Sequence, residues 1–385
     1  MIAEKLQKHI ETLIRAQYQR IEKMKEDKEF IDYAALSPIV VGLIGGDGIG
    51  PFITNHTYQV LKSLLSKELA EGKIVFRQID GLTIENRAKA ARAIPEDVLE
   101  EIKACHVLLK GPTTTPRAGD KWKNIESANV AMRRELDLFA NIRPVRVPEE
   151  DIDWVFYREN TEGSYVLGSH GICLDDELCM DFTVTTKEGS ERILRAAFDY
   201  AVKSGKNRVT AVTKANIIKA TDGKFLELAK VIAKEYPSVE FDDWYVDIMA
   251  AKLLDPKRRT QFKVIVLPNL YGDILTDEAA ELQGGVGTAG SANLGKRYAM
   301  FEAIHGSAPR MVDEGRAAYA DPSSMMRAAV MMLEHIGYAQ QALELSTALD
   351  KALVSEKKMV ITGRQDGATS QDFCNYVIEL LNESK

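Results

Sequence analysis

The sequence predicts an α/β protein in two lobes, built around an open sheet. Three observations carry this. Buried-type apolar runs alternate with helical periodicities along most of the chain. The first such run, residues 38–44, ends in the glycine-rich turn Gly45-Gly-Asp-Gly-Ile-Gly-Pro51. At 385 residues the chain is too long for one simple core and suits two.

Residues 1–28 read as one amphipathic helix. Ile2, Leu6, Ile10, Leu13, Ile21 and Met24 recur at helical spacing between Lys and Glu. The helix is expected against a lobe or a partner subunit. After the 38–44 strand, 53–70 reads as helix, 73–79 as strand, 95–104 as helix and 106–110 as strand. A second region begins near Asn141, with strands at 154–158, 208–213, 240–246 and 262–267 and helices at 190–204 and 223–236. Residues 163–186 alternate, are rich in β-branched side chains and lack a helical period. They read as a small antiparallel excursion shared between subunits. From Ala299 onward the reading returns to helices, clearest at 325–335 and 339–351. The resulting division is a large domain of 1–138 and 286–385 and a small domain of 139–285, which includes the excursion at 163–188.

A net charge of −7 argues against nucleic acid or an anionic membrane as the main partner. No apolar run approaches a membrane span. Cys105, Cys173, Cys179 and Cys374 form no CxxC pair and read as free thiols of a reducing compartment. Glu4, Lys5 and Lys8 stand where a secretory signal needs an apolar core, so the expected location is the cytoplasm.

The chemistry concentrates in a few places. Ser127-Ala-Asn129-Val-Ala-Met-Arg133, then Arg143 and Arg158, offer three guanidiniums and two small polar groups within a short span. Guanidiniums are rigid forks matched to carboxylates, and three converging on one cleft suit a substrate with several. Asp273 and Asp277 in Asn269-Leu-Tyr-Gly-Asp-Ile-Leu-Thr-Asp277 would share a helix face at i and i+4, and a hard divalent cation would relieve their repulsion. Asp247, at the end of another strand, is a natural third ligand. Lys214 follows a strand where α/β active sites form and suits a base. Tyr165 suits a proton donor. Taken singly, each also suits a structural role: an exposed Arg, a capping Asp, a strand-end Lys, a core Tyr. Gly45–Pro51 fails both the Rossmann spacing and the P-loop pattern, and says only that backbone comes close to something. His305-Gly-Ser-Ala-Pro309 is a second tight loop whose amides could hold a ligand.

In combination these motifs, with Lys110-Gly-Pro-Thr-Thr-Thr115 and Arg158-Glu-Asn-Thr-Glu-Gly163, resemble the β-decarboxylating dehydrogenase family, which acts on isocitrate, 3-isopropylmalate, homoisocitrate and tartrate. The resemblance covers roughly residues 37–380. It implies the isocitrate/isopropylmalate dehydrogenase fold, which is not Rossmann, with two lobes and a small clasp at 163–186. It implies that Arg133, Arg143 and Arg158 hold substrate carboxylates, that Tyr165 protonates carbon and that Lys214 serves as base. Asp247, Asp273 and Asp277 would bind Mg²⁺ or Mn²⁺, with Lys214 and Asp247 supplied by the neighbouring subunit of a homodimer. Thr115 and Asn129 would flank nicotinamide. Glu302, His305, Gly306, Ser307, Ala308, Arg310 and Asp321 would line the adenosine side.

The pair Ser127 and Asn129 resembles the isocitrate branch, where isopropylmalate enzymes carry an acidic residue and then Leu. A hydroxyl and an amide can bond a third carboxylate that an apolar pocket would leave unpaired. The expectation is therefore an isocitrate dehydrogenase. The alternatives are a dehydrogenase for isopropylmalate, homoisocitrate or tartrate, and a non-catalytic regulatory subunit. Two departures stand out. Residues 117–126 form a longer loop than the family pattern. Arg310 replaces the Asp usual with NAD and the Lys usual with NADP. An Arg there could pair with a 2′-phosphate, but 359–364 lacks the usual phosphate partners and Asp321 is near. The balance favours NAD, with NADP the alternative.

Overall fold

A computed structural model of the chain describes residues 2–26, 29–116, 119–167, 170–174, 177–285 and 289–383. The strands are β1 (Ile39–Ile44), β2 (Ile74–Ile79), β3 (Val107–Lys110), β4 (Ala140–Val147), β5 (Ile152–Glu159), β6 (Ile172–Leu174), β7 (Leu178–Met180), β8 (Arg208–Thr213), β9 (Glu240–Tyr245), β10 (Val264–Leu267), β11 (Gly290–Leu294) and β12 (Ala299–Ala303). Ten of them form one sheet in the order β2-β1-β3-β12-β11-β4-β5-β10-β8-β9. The outer strands pair in parallel on both sides. Three successive antiparallel junctions, β12/β11, β11/β4 and β4/β5, join the halves. An odd number of reversals means that the two parallel wings run in opposite directions.

Helices cover both faces, as an α/β sheet requires. In the first wing, Gly50–Leu64, Ser323–His335, Ala339–Asp350 and Ser370–Glu383 bury residues such as Ile53, Met326, Leu345 and Phe373 against Val41, Leu109 and Phe301. Glu96–Lys103 and Ala128–Glu135 close the other face over Ile44, Leu108 and Met300. In the second wing, Lys187–Ser204 and Thr221–Ala233 lie over one face, and Val246–Leu253 and Asn269–Leu282 over the other. Each fully buried Leu, Ile or Phe contributes about 1.5–3 kcal/mol. Helix Ile2–Glu26 lies against Lys187–Ser204, with Met24 buried and Ile10, Ile14 and Tyr18 exposed. Among the described residues no helix is long and apolar enough to cross a membrane.

Several expectations need correction. The stretch after Ala299 opens with strand β12, not helix. All five of its residues are buried in the middle of the sheet, so no alternation marks them as strand. The flanking β4 and β11 lack a sequence signal because polar Asn141, Arg143, Ser291 and Asn293 interrupt their apolar positions. Residues 53–70 form two helices, Gly50–Leu64 and Ser66–Ala70. Asp247 lies in the first turn of Val246–Leu253, after β9 has ended. Cys173 and Cys179 are not free thiols: they face each other across the β6–β7 hairpin and form a disulfide. The reading of a reducing compartment loses that support, while Cys105 and Cys374 are free and buried. The excursion is the antiparallel hairpin expected. Of the turn at 284–290, residues 286–288 lie outside the described residues, as do 117–118 of the segment at 117–126.

The glycine-rich turn after β1 meets other backbone. A Cβ on Gly46 would fall on the Pro112 carbonyl oxygen, and one on Gly48 on that of Ser307. Both residues hold left-handed backbone, at φ 71° and 61°. Ile49 N–H donates to Ser307 O at 3.0 Å and Asp47 N–H to Pro112 O at 2.8 Å. The turn thus interlocks with the loops after β3 and β12. Gly48→Ala is expected to destabilise the fold by about 2–4 kcal/mol, through left-handed strain and a displaced Ser307, read as a lower denaturant midpoint.

Candidate active site

A buried row of polar side chains crosses the centre of the sheet on one face. Register places Lys110 beside Glu302, Glu302 beside Ser291, Asn293 beside Asn141, and Asn141 beside Arg158. Lys110 Nζ lies 3.3 Å from a Glu302 oxygen and Asn293 Nδ2 donates to the other at 2.8 Å. Asn141 and Asn160 both donate to Asn293 Oδ1 at 2.9 Å. Burial alone would raise Glu302, but Lys110 and Arg133 hold it below the usual carboxylate range. Burial pushes the Lys110 ammonium down.

Above this row the three arginines converge. Arg133, from helix Ala128–Glu135, has its guanidinium 3.7 Å from Glu302. Arg143, from β4, donates to Thr276 Oγ1 at 2.7 Å and to Asp277 at 2.8 Å. Arg158, at the end of β5, is fully buried. It donates to Asn269 Oδ1 at 3.0 and 2.7 Å and pairs with Asp273. Gly272 makes room for it, since a Cβ there would strike the Arg158 stem. Burial and the Arg133 charge push Arg158 down to about 10, so it stays a cation at neutral pH. Tyr165 donates to the second Asp273 oxygen at 2.8 Å. Burial and this bond raise the phenol, which keeps its proton. Burial would raise Asp273 as well, but Arg158 holds it low. Between these groups lies a cavity of about 20 Å³ lined by Arg133, Asn160, Thr161, Tyr165 and Asn269, room for one water.

Asn129 lies one turn before Arg133 and accepts from Thr113 Oγ1 at 3.2 Å. Ser127 stands at the N-cap of that helix, but its hydroxyl makes no capping bond. Asp273 and Asp277 share one face of Asn269–Leu282, as expected. Asp247 is not with them. It follows β9, two strands from β10, and pairs with Lys214 at 2.5 Å. Among the described residues no three carboxylates, histidines or cysteines gather as a metal site. Within one chain, then, the expected ligand set is split, and Lys214 is separated from Tyr165.

The expected dinucleotide side is also divided. Glu302 belongs to the buried polar row and not to the loop that follows it. Ser307 is buried, with its hydroxyl 2.9 Å from that of Thr114. Thr115 and Gly306 are exposed, and Ala308 holds left-handed backbone at φ 43°. Asp321 caps Ser323 at 2.8 Å, and burial raises its carboxyl above the usual range. Arg310 extends into solvent and holds Glu314 at 2.6 Å. The loop from 115 to 125 is pinned at its feet. Buried Arg87 donates to the carbonyls of Thr114 at 2.7 Å, Glu126 at 3.0 Å and Ala93 at 2.8 Å. Buried Asp47 accepts from Thr114 N–H at 2.7 Å and Ile84 N–H at 2.8 Å.

Comparison with known proteins gives the family. The family model for isocitrate/isopropylmalate dehydrogenase matches residues 40–377. The chain belongs to that family. Helix Ile2–Glu26 lies outside the match. The chain is 37% identical over 327 residues to isocitrate dehydrogenase [NADP] of Rickettsia prowazekii, covering 83% of this chain and 64% of that protein. It is 35% identical over 333 residues to homoisocitrate dehydrogenase of Methanocaldococcus jannaschii (82% and 91%). It is likewise 35% identical over 321 residues to the mitochondrial isocitrate dehydrogenase [NAD] subunit 2 of Schizosaccharomyces pombe (82% and 80%). The solved structure of isocitrate dehydrogenase from Methylococcus capsulatus superposes with a TM-score of 0.77 at 36% identity, over 89% of this chain and 99% of that one.

Residues that the sequence did not single out hold the site together. Asn269 joins Arg158 to the Glu162 carbonyl, to which its amide donates at 3.0 Å. Lys110 anchors Glu302, and Arg87 fixes the approach to Ser127. Asn269 was the most accessible of these, being a polar residue set between a buried strand and Asp273. Glu159 is a further buried acid. It accepts from the Thr161 amide and hydroxyl and from Glu162 N–H. Burial, and next the Glu162 charge, push it up to about 7. A carboxyl raised in the folded state binds protons that the unfolded chain releases, so its ionisation erodes stability as pH rises from the unfolded value towards 7. Glu159→Gln should therefore flatten the loss of stability between pH 5 and 8, measured by denaturant titration against the parent.

Proposed function

We propose that the chain is an isocitrate dehydrogenase, converting isocitrate and a nicotinamide dinucleotide to 2-oxoglutarate, CO₂ and the reduced cofactor. The observation that carries this is the convergence of Arg133, Arg143 and Arg158 beside a helix that begins with an uncommitted Ser127 hydroxyl and Asn129. Three guanidiniums suit two or three carboxylates, and the Ser–Asn pair suits the extra carboxylate of isocitrate. The M. jannaschii relative makes homoisocitrate the main competitor.

Asp273 and Asp277 offer oxygen donors one helical turn apart and fit a hard dication. Their third partner would be Asp247 of a second copy of this chain. Support for such a dimer lies beside Lys214 and Asp247, where Ile217, Ile248, Leu270 and Ile274 are exposed as an apolar patch. The 305–308 loop fits a dinucleotide, with open space at Gly306 and strained backbone at Ala308. When bound, the dication would supply Lewis-acid polarisation and the nicotinamide would accept hydride. This chain's residues do the rest. The arginines orient the acid and exchange their aspartate partners for its carboxylates. Lys214 of the second copy takes the hydroxyl proton, directly or through water. Tyr165, protonated and close to the arginines, gives a proton to the carbon that CO₂ leaves. Arg310 could pair with a 2′-phosphate, but residues 359–364 lack the usual phosphate partners and Asp321 is near, so NAD is the expected partner and NADP the alternative.

Purified protein tested with isocitrate, homoisocitrate, isopropylmalate and tartrate should reduce NAD⁺ fastest with isocitrate, and lose turnover on chelation. Best turnover with another acid would replace the substrate assignment. Lys214→Met and Tyr165→Phe should each lose about 10²–10⁴-fold in kcat. Mixed together and allowed to exchange subunits, the two inactive variants should regain about a quarter of parental activity, because half of the mixed dimers' sites are intact. No recovery on mixing would refute sites built from two copies.

A further inference from the structure

We propose that Arg20, on the N-terminal helix outside the family match, is a positioning residue for the active site. Its guanidinium forms an ion pair with Glu162 and donates to the Thr161 carbonyl at 3.3 Å. Glu162 is buried at 4% side-chain exposure and lies at the start of helix Lys187–Ser204, where it accepts from the Thr186 amide at 2.8 Å and from the Thr186 hydroxyl. The carboxylate of Glu159 is buried a few residues away, and its pairing with the Thr161 and Glu162 amides folds residues 159–162 into a tight turn. The Glu162 carboxylate, buried beside a second acid, needs a cation. Arg192 is committed to Asp137, at 2.6 and 2.9 Å; it donates to the Thr161 hydroxyl at 2.8 Å and its charge favours Glu159, but it makes no ion pair with Glu162. Arg20 therefore supplies the direct counter-charge to Glu162.

The turn is the covalent link between Arg158 and Tyr165, and it is also tied to them through space. The Glu162 carbonyl accepts from Asn269, Asn269 accepts from Arg158, Arg158 pairs with Asp273, and Asp273 accepts from Tyr165. A contact made by the first helix of the chain thus fixes the segment that aims the substrate-binding arginine and the proton donor. A second contact, His9 Nε2 with the His170 carbonyl at 2.9 Å, holds the same helix to the clasp. The inference rests on the roles given above to Arg158 and Tyr165.

The test compares the full-length parent with Arg20→Ala, Arg20→Lys and the double variant Arg20→Ala/Glu162→Gln. Arg20→Ala should lower kcat/KM for the acid by about ten- to a hundredfold, while KM for the dinucleotide, bound on the other wing, stays within about twofold. Arg20→Lys should recover part of the loss. The double variant, with no charge left to compensate at 162, should recover more than the single. Hydrogen exchange of the 160–165 amides in Arg20→Ala should be about tenfold faster, without change in the strands of the first wing. A kcat/KM within about twofold of the parent, equal losses for acid and dinucleotide, or unchanged exchange at 160–165 would each overturn the proposal. If the parent itself turns over none of the acids, the functional reading fails, and the exchange measurement alone then decides whether Arg20 holds the turn.

Discussion

The Lys110–Glu302 ion pair lies where the first parallel wing meets the antiparallel centre of the sheet, and the geometry of the site descends from it. A fully buried pair adds little net stability, but removing one partner strands the other, at a cost of about 3–5 kcal/mol. Glu302 can remain charged there because Lys110, Asn293 and Arg133 surround it. Arg133 is in turn held over the sheet by that charge. Asn293 then passes the constraint to Asn141 and Asn160, which places the start of the 160–165 segment. A row of apolar side chains would close the sheet as well but would fix none of these positions.

Over that row, cations and anions of the site neutralise one another. Arg158 and Arg143 hold Asp273 and Asp277, and a water-sized cavity lies beside them. On the proposed function, binding would be an exchange of partners: carboxylates of the acid would take the guanidiniums, and the aspartates would be released to ligands of opposite charge. No bare charge need be buried in the resting molecule. This also explains why Asp273 is tolerated in a partly buried position, one turn from the exposed Asp277.

Much of this architecture is legible in the sequence, because most strands and helices bury one clear apolar pattern. The wings, the clasp hairpin and the convergence of Arg133, Arg143, Arg158, Tyr165 and Asp273 follow from pattern and motif. The centre of the sheet does not. In β4 and β11 the polar row replaces the apolar positions that mark a strand, and β12 is buried all round and matches either period. Glu302 was misplaced for the same reason: its neighbours in sequence form a loop, while its partners lie on other strands. The Cys173–Cys179 bond depends on hairpin register, which spacing alone does not reveal. The glycines of 45–50 announced a close approach, and only the structure shows that the approaching backbone belongs to Pro112 and Ser307.

Arg87 gives the segment between Thr114 and Glu126 a particular freedom. One buried guanidinium grips the carbonyls at both ends, Thr114 and Glu126, with Asp47 seating the first end. The intervening residues close a ring whose base is rigid, and the entropy of such a ring grows only slowly with its length. Residues can therefore be gained or lost between the two anchors without moving the helix that begins at Ser127. The protein has a place where its surface can be rewritten by insertion while the chemistry a few residues away keeps its coordinates.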